Sequence, residues 1–216
     1  MWKAVLFDYD DTLVDTLGSR SLALTTFFRT NYGINITQAE IEAVWGIQFS
    51  QMMTALGKGA SVRVEDYLKV AKDFPIKPFE GVAPLLQSLH KRVPIGIVTS
   101  VAREVLLADI QEMGWSEDWF AVISAQEDTP AHKPDADVFI PAMNALRSCD
   151  SQITPDKVLY VGNALSDGLA ARAAGLGFLG VPTTHHERNE LAQHGFSVSD
   201  SIQDLAMKIQ LSERQS

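Results

Sequence analysis

The chain is poor in positive charge, in cysteine and in long apolar runs. Its 18 Lys and Arg stand against 27 Asp and Glu, giving a formal net charge of −9. A polyanion such as DNA is repelled by that balance, and no Lys/Arg cluster offsets it, so a nucleic-acid partner is not expected. Small phosphates stay within reach where a metal and a local Lys supply positive charge. Cys149 is the single cysteine. No internal disulfide can form, and we read the thiol as a small buried or half-buried filler. No apolar stretch approaches the roughly 20 residues that cross a bilayer. The opening run, Met1 to Asp8, has neither the long apolar region nor the small-residue cleavage site of a signal peptide. Together these absences lead us to expect a cytoplasmic protein without a membrane partner.

What is present is ordinary globular material: 216 residues, 46% hydrophobic and 21% charged. That length suits one core, or one core with a smaller appended domain. A short apolar strand, Lys3 to Asp8, runs into an acidic turn. Helical patterns follow from about Thr16 to Phe79: Ser19 to Tyr32, stopped by Gly33; a helix opened by the capping box Thr37-Gln-Ala-Glu40 and running towards Trp45; Ser50 to Leu56; and Val64 to Phe74, before Pro75 and Pro78. Met52, Met53 and Trp45 read as core of this block. After it the pattern alternates. Val82, Leu85, Leu86 and Leu89 form an amphipathic stripe. Pro94 to Thr99, Ala121 to Ser124, Val158 to Gly162 and Phe178 to Val181 read as strands, separated by helices at Ala102 to Met113, Ala136 to Arg147, Asp167 to Ala174 and Glu187 to Gln193.

Strands alternating with helices imply an α/β fold, a parallel sheet flanked by helices, and the apolar strands suit a sheet buried on both faces. We therefore expect a Rossmann-like core from residues 1–15 and 80–216. Residues 16–79 form an inserted all-α cap domain. Ligands of open α/β sheets bind beyond the carboxyl ends of the strands. The residues there are Asp8-Tyr-Asp10-Asp11-Thr12, Thr99-Ser100, His132-Lys133-Pro134-Asp135 and Gly162-Asn163-Ala-Leu-Ser-Asp167. Four distant segments thus bring carboxylates, a hydroxyl, an ammonium and a Gly-flanked turn to one edge.

This set resembles the haloacid dehalogenase superfamily, in its phosphatase branch with a small helical cap. The resemblance is carried by Phe7-Asp-Tyr-Asp-Asp-Thr-Leu13, Ile97-Val-Thr-Ser100, Lys133-Pro-Asp-Ala-Asp-Val-Phe139 and Gly162 to Gly175, and it spans nearly the whole chain. It implies Mg²⁺, a phosphoaspartyl intermediate and a small phosphorylated substrate. A phosphate monoester repels an anionic nucleophile, so a hard divalent ion with oxygen ligands must neutralise charge before attack. Asp8 is the implied nucleophile and a metal ligand. Asp10, two residues on and on the same side of an extended chain, is the implied acid and base, with its carbonyl on the metal. Thr12 would fix the Asp10 loop, Thr99 would donate to a phosphoryl oxygen, and Lys133 would balance the carboxylates and the transferring group. Asn163 and Asp167 complete the implied metal set. Ser100, Arg103 and Gly46, the last in a loop running to Ser50, are substrate-side candidates.

Two positions depart from the family pattern. Asn163 stands where an acid is usual. One unit charge at about 4 Å and an effective dielectric near 20 is worth on the order of 4 kcal/mol as an upper guide, so weaker metal affinity is expected. Asp11 replaces the commonest residue there, Gly, and carries no functional reading. Other features read as bland: His185-His186 as a surface loop, and Arg20, Arg29 and Arg63 as solvated. The competing readings are a phosphomutase of the β-phosphoglucomutase type, a catalytically weakened relative acting as a binding protein, a true dehalogenase and a receiver domain. The presence of Asp10 argues against a dehalogenase. A receiver carries its phosphorylated Asp after the third strand, and here that strand ends in Ser124-Ala-Gln. The expected assembly is a monomer or homodimer.

Overall fold

The computed structural model describes residues 1–45, 49–200, 204, 205 and 209. The chain divides into two compact units, one formed by Met1–Val14 with Pro78–Ser216 and the other by Asp15–Lys77.

The first unit is a parallel five-stranded sheet: β1 (Ala4–Phe7), β2 (Ile95–Val98), β3 (Phe120–Ser124), β4 (Val158–Gly162) and β5 (Gly177–Gly180), in the order β3-β2-β1-β4-β5. Every residue of β1, β2 and β4 is buried, as a sheet covered on both faces requires. On one side of the sheet Leu6, Val98 and Tyr160 pack with Val138, Phe139, Ala142 and Leu146. The chain runs outward from β1 through β2 to β3, then returns to lay β4 on the other side of β1. That reversal makes a topological switch point between β1 and β4, where strand tops part and a crevice forms. Asp8, one residue past β1, sits on it, and its N–H donates to the Val161 carbonyl at 2.8 Å.

The second unit is helical: α1 (Thr16–Tyr32), α2 (Gln38–Glu42), α3 (Phe49–Leu56) and α4 (Val64–Ala71). Its core gathers Leu24, Phe27, Phe28, Ile41, Met52, Met53 and Tyr67, with Trp45 packed at the edge. α1 starts three residues before the sequence reading because Asp15 caps it, accepting the Gly18 N–H at 2.8 Å. It stops at Gly33, whose φ of 66° is the left-handed cap that glycine takes without strain. The Thr37–Glu40 capping box forms in full, but α2 ends at Glu42, and α4 ends at Ala71, short of Phe74.

The first unit continues with α5 (Val82–Leu89), α6 (Arg103–Glu112), α7 (Ile140–Cys149), α8 (Leu165–Ala173) and α9 (His185–Gln193). Three expectations are corrected. Residues 136–139 form a tight 3₁₀ turn ahead of α7. Cys149 is exposed, because it is the last residue of α7, beyond the buried positions Ala142, Met143 and Leu146. His185 and His186 open α9; they do not lie in a loop, since the capping box between Thr184 and Glu187 spans them. Both rings are exposed. Among the described residues no helix is long and apolar enough to cross a membrane.

Candidate active site

The acidic turn after β1 is held by its own backbone: the Thr12, Leu13 and Val14 N–H groups all point to the Tyr9 carbonyl. Asp11 takes a φ of 53° to make it. The left-handed region favours glycine and tolerates Asp, which accounts for Gly as the commonest residue there and for Asp being accepted. Asp8, Asp11 and Thr12 are buried, and Asp10 is half-buried.

Lys133 reaches this turn from beyond β3. Its ammonium lies 2.6 Å from Asp8 Oδ1 and 2.7 Å from Asp167 Oδ1, with its side chain about as enclosed as theirs, 10% exposed against 10% and 2%. The ring of Tyr160, on β4, lies beneath it at 5.3 Å. Burial alone would lower the Lys133 pKa, but Asp167 and Asp8 reverse that and carry it well above the ordinary value, so it stays charged. For Asp8 burial wins. Desolvation pushes its carboxyl up to about 7; Lys133 opposes this, and Asp167 and Asp10 add to it.

Asp167 is held from three sides. Its Oδ1 accepts from Lys133 and, at 3.3 Å, from Tyr160 Oη, and its Oδ2 accepts the Ala164 N–H at 3.0 Å, capping α8. A methyl group at Gly162 would stand 2.6 Å from the Asp167 carboxyl carbon. The motif glycine is thus required by the close approach of this acid.

Asn163, buried at the tip of β4, accepts from Thr12 Oγ1 at 3.2 Å. The same hydroxyl lies 3.3 Å from Asp8 Oδ2. The Asn163 amide nitrogen donates to Glu187 Oε1 at 2.6 Å. Thr99 is buried at the end of β2; its backbone N–H donates to the Ser124 carbonyl at 3.0 Å, and its hydroxyl accepts the Val101 N–H at 3.2 Å. Ser100, beside it, is exposed. Arg103 is engaged elsewhere: its guanidinium donates to the Ile123 carbonyl at 2.8 Å and to the Asp128 carboxylate. Gly46 lies outside the described residues. The structure therefore joins Asp8, Thr12, Lys133, Asn163 and Asp167 in one hydrogen-bonded cluster, with Asp10 beside it, and leaves Arg103 tied to the loop after β3.

Two members were not anticipated. Tyr160 looks like any apolar strand residue. Glu187 has the sequence signature of a helix start, yet it also follows β5, so the strand-end logic that points to the other segments extends to it.

Oxygen donors dominate the cluster. The carboxyl groups of Asp8, Asp10 and Asp167 outnumber the one ammonium, Lys133. Among the described residues no three His, Cys, Asp or Glu side chains are arranged to hold a metal alone. A cation here would thus draw on the Asn163 amide oxygen and a backbone carbonyl as well. An all-oxygen set in which carboxyl groups outnumber cations fits a hard divalent ion.

Residues 5–181 match the family described as haloacid dehalogenase-like hydrolase. The chain belongs to that family. Among curated relatives it is 29% identical, over 196 residues, to a Clostridium perfringens protein assigned as pyrophosphatase PpaX, covering 85% of this chain and 86% of that one. It is 27% identical, over 194 residues, to validoxylamine A 7'-phosphate phosphatase from Streptomyces hygroscopicus subsp. limoneus, covering 86% and 88%. Among solved structures, a Thermotoga maritima protein assigned as a β-phosphoglucomutase shares the fold with a TM-score of 0.79 at 20% identity, over 96% of this chain and 98% of that one.

Proposed function

We propose that this hydrolase is a magnesium-dependent phosphatase of small phosphate monoesters, with the Asp8 carboxylate as nucleophile. The observation that carries the reading is the placement of Asp8: a buried carboxylate at the β1/β4 switch point, its pKa raised to about 7, 2.6 Å from the Lys133 ammonium. A carboxylate so poorly solvated is a strong nucleophile when ionised, and strongly shifted groups in a crevice mark reaction sites. The family match and the phosphatase names of the sequence relatives favour phosphoryl transfer to water.

Asp8, the Asp10 carbonyl and Asn163 Oδ1 would hold the Mg²⁺, with Asp167 behind them. Bound there, the ion supplies positive charge against the phosphoryl oxygens and the Asp8 carboxylate. Lys133 neutralises Asp8 and the incoming phosphoryl group, held in place by Asp167. Thr99, whose hydroxyl keeps a proton to give, donates to a phosphoryl oxygen. An Asp8 oxygen forms a bond to phosphorus as the bond to the leaving oxygen breaks, and the Asp10 carboxyl gives that oxygen its proton. Water then attacks the same phosphorus, Asp10 takes its proton, and orthophosphate leaves as the Asp8 carboxylate is restored. The helical unit Asp15–Lys77 is proposed as the cap that selects substrate, and Ser100 as a residue that meets it.

Hydrolysis of p-nitrophenyl phosphate, with and without Mg²⁺, tests this in wild type and Asp8→Asn. Metal-dependent turnover in wild type alone is expected. Equal rates in the two proteins would overturn the nucleophile assignment. Product analysis with a sugar 1-phosphate separates release of orthophosphate from return of the phosphoryl group to the sugar.

A further inference from the structure

We propose that Glu187 is a positioning residue for Asn163, and that the two together take the place of the acid usual at that position. The inference rests on reading the site as metal-assisted.

A carboxylate can only accept hydrogen bonds, so the 2.6 Å contact with Glu187 Oε1 fixes the amide nitrogen of Asn163 on that side. The amide oxygen is thereby turned to Thr12 Oγ1 and towards the Asp8 side of the crevice. Glu187 is itself immobilised by its second oxygen. Oε2 accepts the Thr183 N–H at 2.9 Å, the Thr184 N–H at 3.0 Å and the Thr183 hydroxyl at 3.0 Å, while Thr184 Oγ1 takes the Glu187 N–H to close the α9 capping box. One oxygen anchors the helix and the other aims the amide. The negative charge missing at 163 is thus present one amide further out.

This arrangement makes an acid at position 163 incompatible with Glu187 as it stands. An Asp oxygen in place of Asn163 Nδ2 would face Glu187 Oε1 at 2.6 Å, two acceptors with no proton between them. Restoring the acid therefore costs stability unless Glu187 is neutralised as well. Asn163 is half of a matched pair.

The test is a double-mutant cycle on the full chain: wild type, Asn163→Asp, Glu187→Gln and both changes together, with melting temperature measured in EDTA and Mg²⁺ affinity by calorimetry. In EDTA, Asn163→Asp is expected to lower the melting temperature by about 5 °C in the wild-type background. It should have little effect in the Glu187→Gln background. Mg²⁺ binding should tighten roughly tenfold when Asn163→Asp is added to Glu187→Gln, and less than about threefold when it is added alone. The same change in both backgrounds overturns the proposal. Thr184→Ala loosens the α9 cap without touching Asn163, so it should lower the melting temperature but keep Mg²⁺ affinity within about twofold. If it weakens Mg²⁺ as much as Glu187→Gln does, Glu187 acts only through the helix, and the proposal fails; this comparison stands even if Asn163→Asp does not fold. Absence of Mg²⁺ binding in every protein sinks the metal reading, while the EDTA cycle still judges the pair.

Discussion

The Lys133 ammonium lies 2.7 Å from Asp167 Oδ1, and both Asp167 oxygens are engaged, the second by the Ala164 N–H. This acid therefore aims the lysine. With Asp8 at 2.6 Å on its other side, Lys133 is the cation common to two buried carboxylates. Breaking a buried ion pair from one side costs about 3–5 kcal/mol, because the charge left behind is uncompensated. Lys133→Met should lower the melting temperature accordingly and reduce kcat by roughly 10²–10³-fold, the scale of removing one electrostatic group from a transition state. Lys133→Arg keeps the charge but brings a planar fork to a site shaped for a point charge, and it should rescue stability more than turnover. Thermal melts and steady-state kinetics on the two variants check both expectations.

Asp8 itself should be a burden on the fold. Its carboxyl is raised from an ordinary value near 4 to about 7 by burial. The folded state thus binds this proton more tightly than the unfolded chain, and stability is lost as pH rises from about 4 through about 7. Asp8→Asn is neutral at every pH and escapes that loss. It should be inactive and, without metal, melt several degrees above wild type at pH 8, an advantage that shrinks towards pH 5. Melts in EDTA across that range are the measurement, and a variant less stable than wild type at pH 8 contradicts the expectation.

Much of this site was legible in the sequence because strand ends are legible. A parallel strand shows itself as an apolar run, and its carboxyl end is where a ligand site must form. That logic picked out Asp8, Thr12, Lys133, Asn163 and Asp167, which the structure joins in one hydrogen-bonded cluster. It could not find Tyr160, whose role depends on where a hydroxyl points from a buried strand. Nor could it see that Arg103 is claimed by Asp128, a pairing 25 residues apart that only the fold after β3 creates. Asn163 stood out as a missing charge, and Glu187 lies within reach of the same strand-end logic, but the hydrogen bond that joins them across 24 residues appears only in three dimensions.

Gly162 has a role that spacing alone does not reveal. A methyl group there would overlap the Asp167 carboxyl at 2.6 Å, and a buried acid capping a helix cannot easily yield. Gly162→Ala should cost about 1–3 kcal/mol in overpacking. By shifting Asp167 away from Lys133, it should also reduce turnover on the order of 10²-fold, as misplacement near 1 Å does. Guanidinium unfolding with parallel kinetics checks this; wild-type kcat in a folded variant would show that Asp167 does not aim the lysine.

Tyr160 offers a finer test of the same support. Its hydroxyl lies 3.1 Å from the Val98 carbonyl and 3.3 Å from Asp167 Oδ1, while its ring lies under Lys133. Tyr160→Phe keeps the ring and its cation–π contact and removes only the hydroxyl. The Val98 carbonyl is then left short of a buried donor, a cost of about 1–3 kcal/mol. Asp167 still holds Lys133 and the Ala164 N–H, so its position should loosen without being lost. We expect kcat to fall about fivefold, the rate equivalent of roughly 1 kcal/mol, with KM unchanged because the hydroxyl stands behind Asp167 and Lys133. A rise in KM at constant kcat would mean that Tyr160 acts on substrate binding and not through the lysine that Asp167 holds.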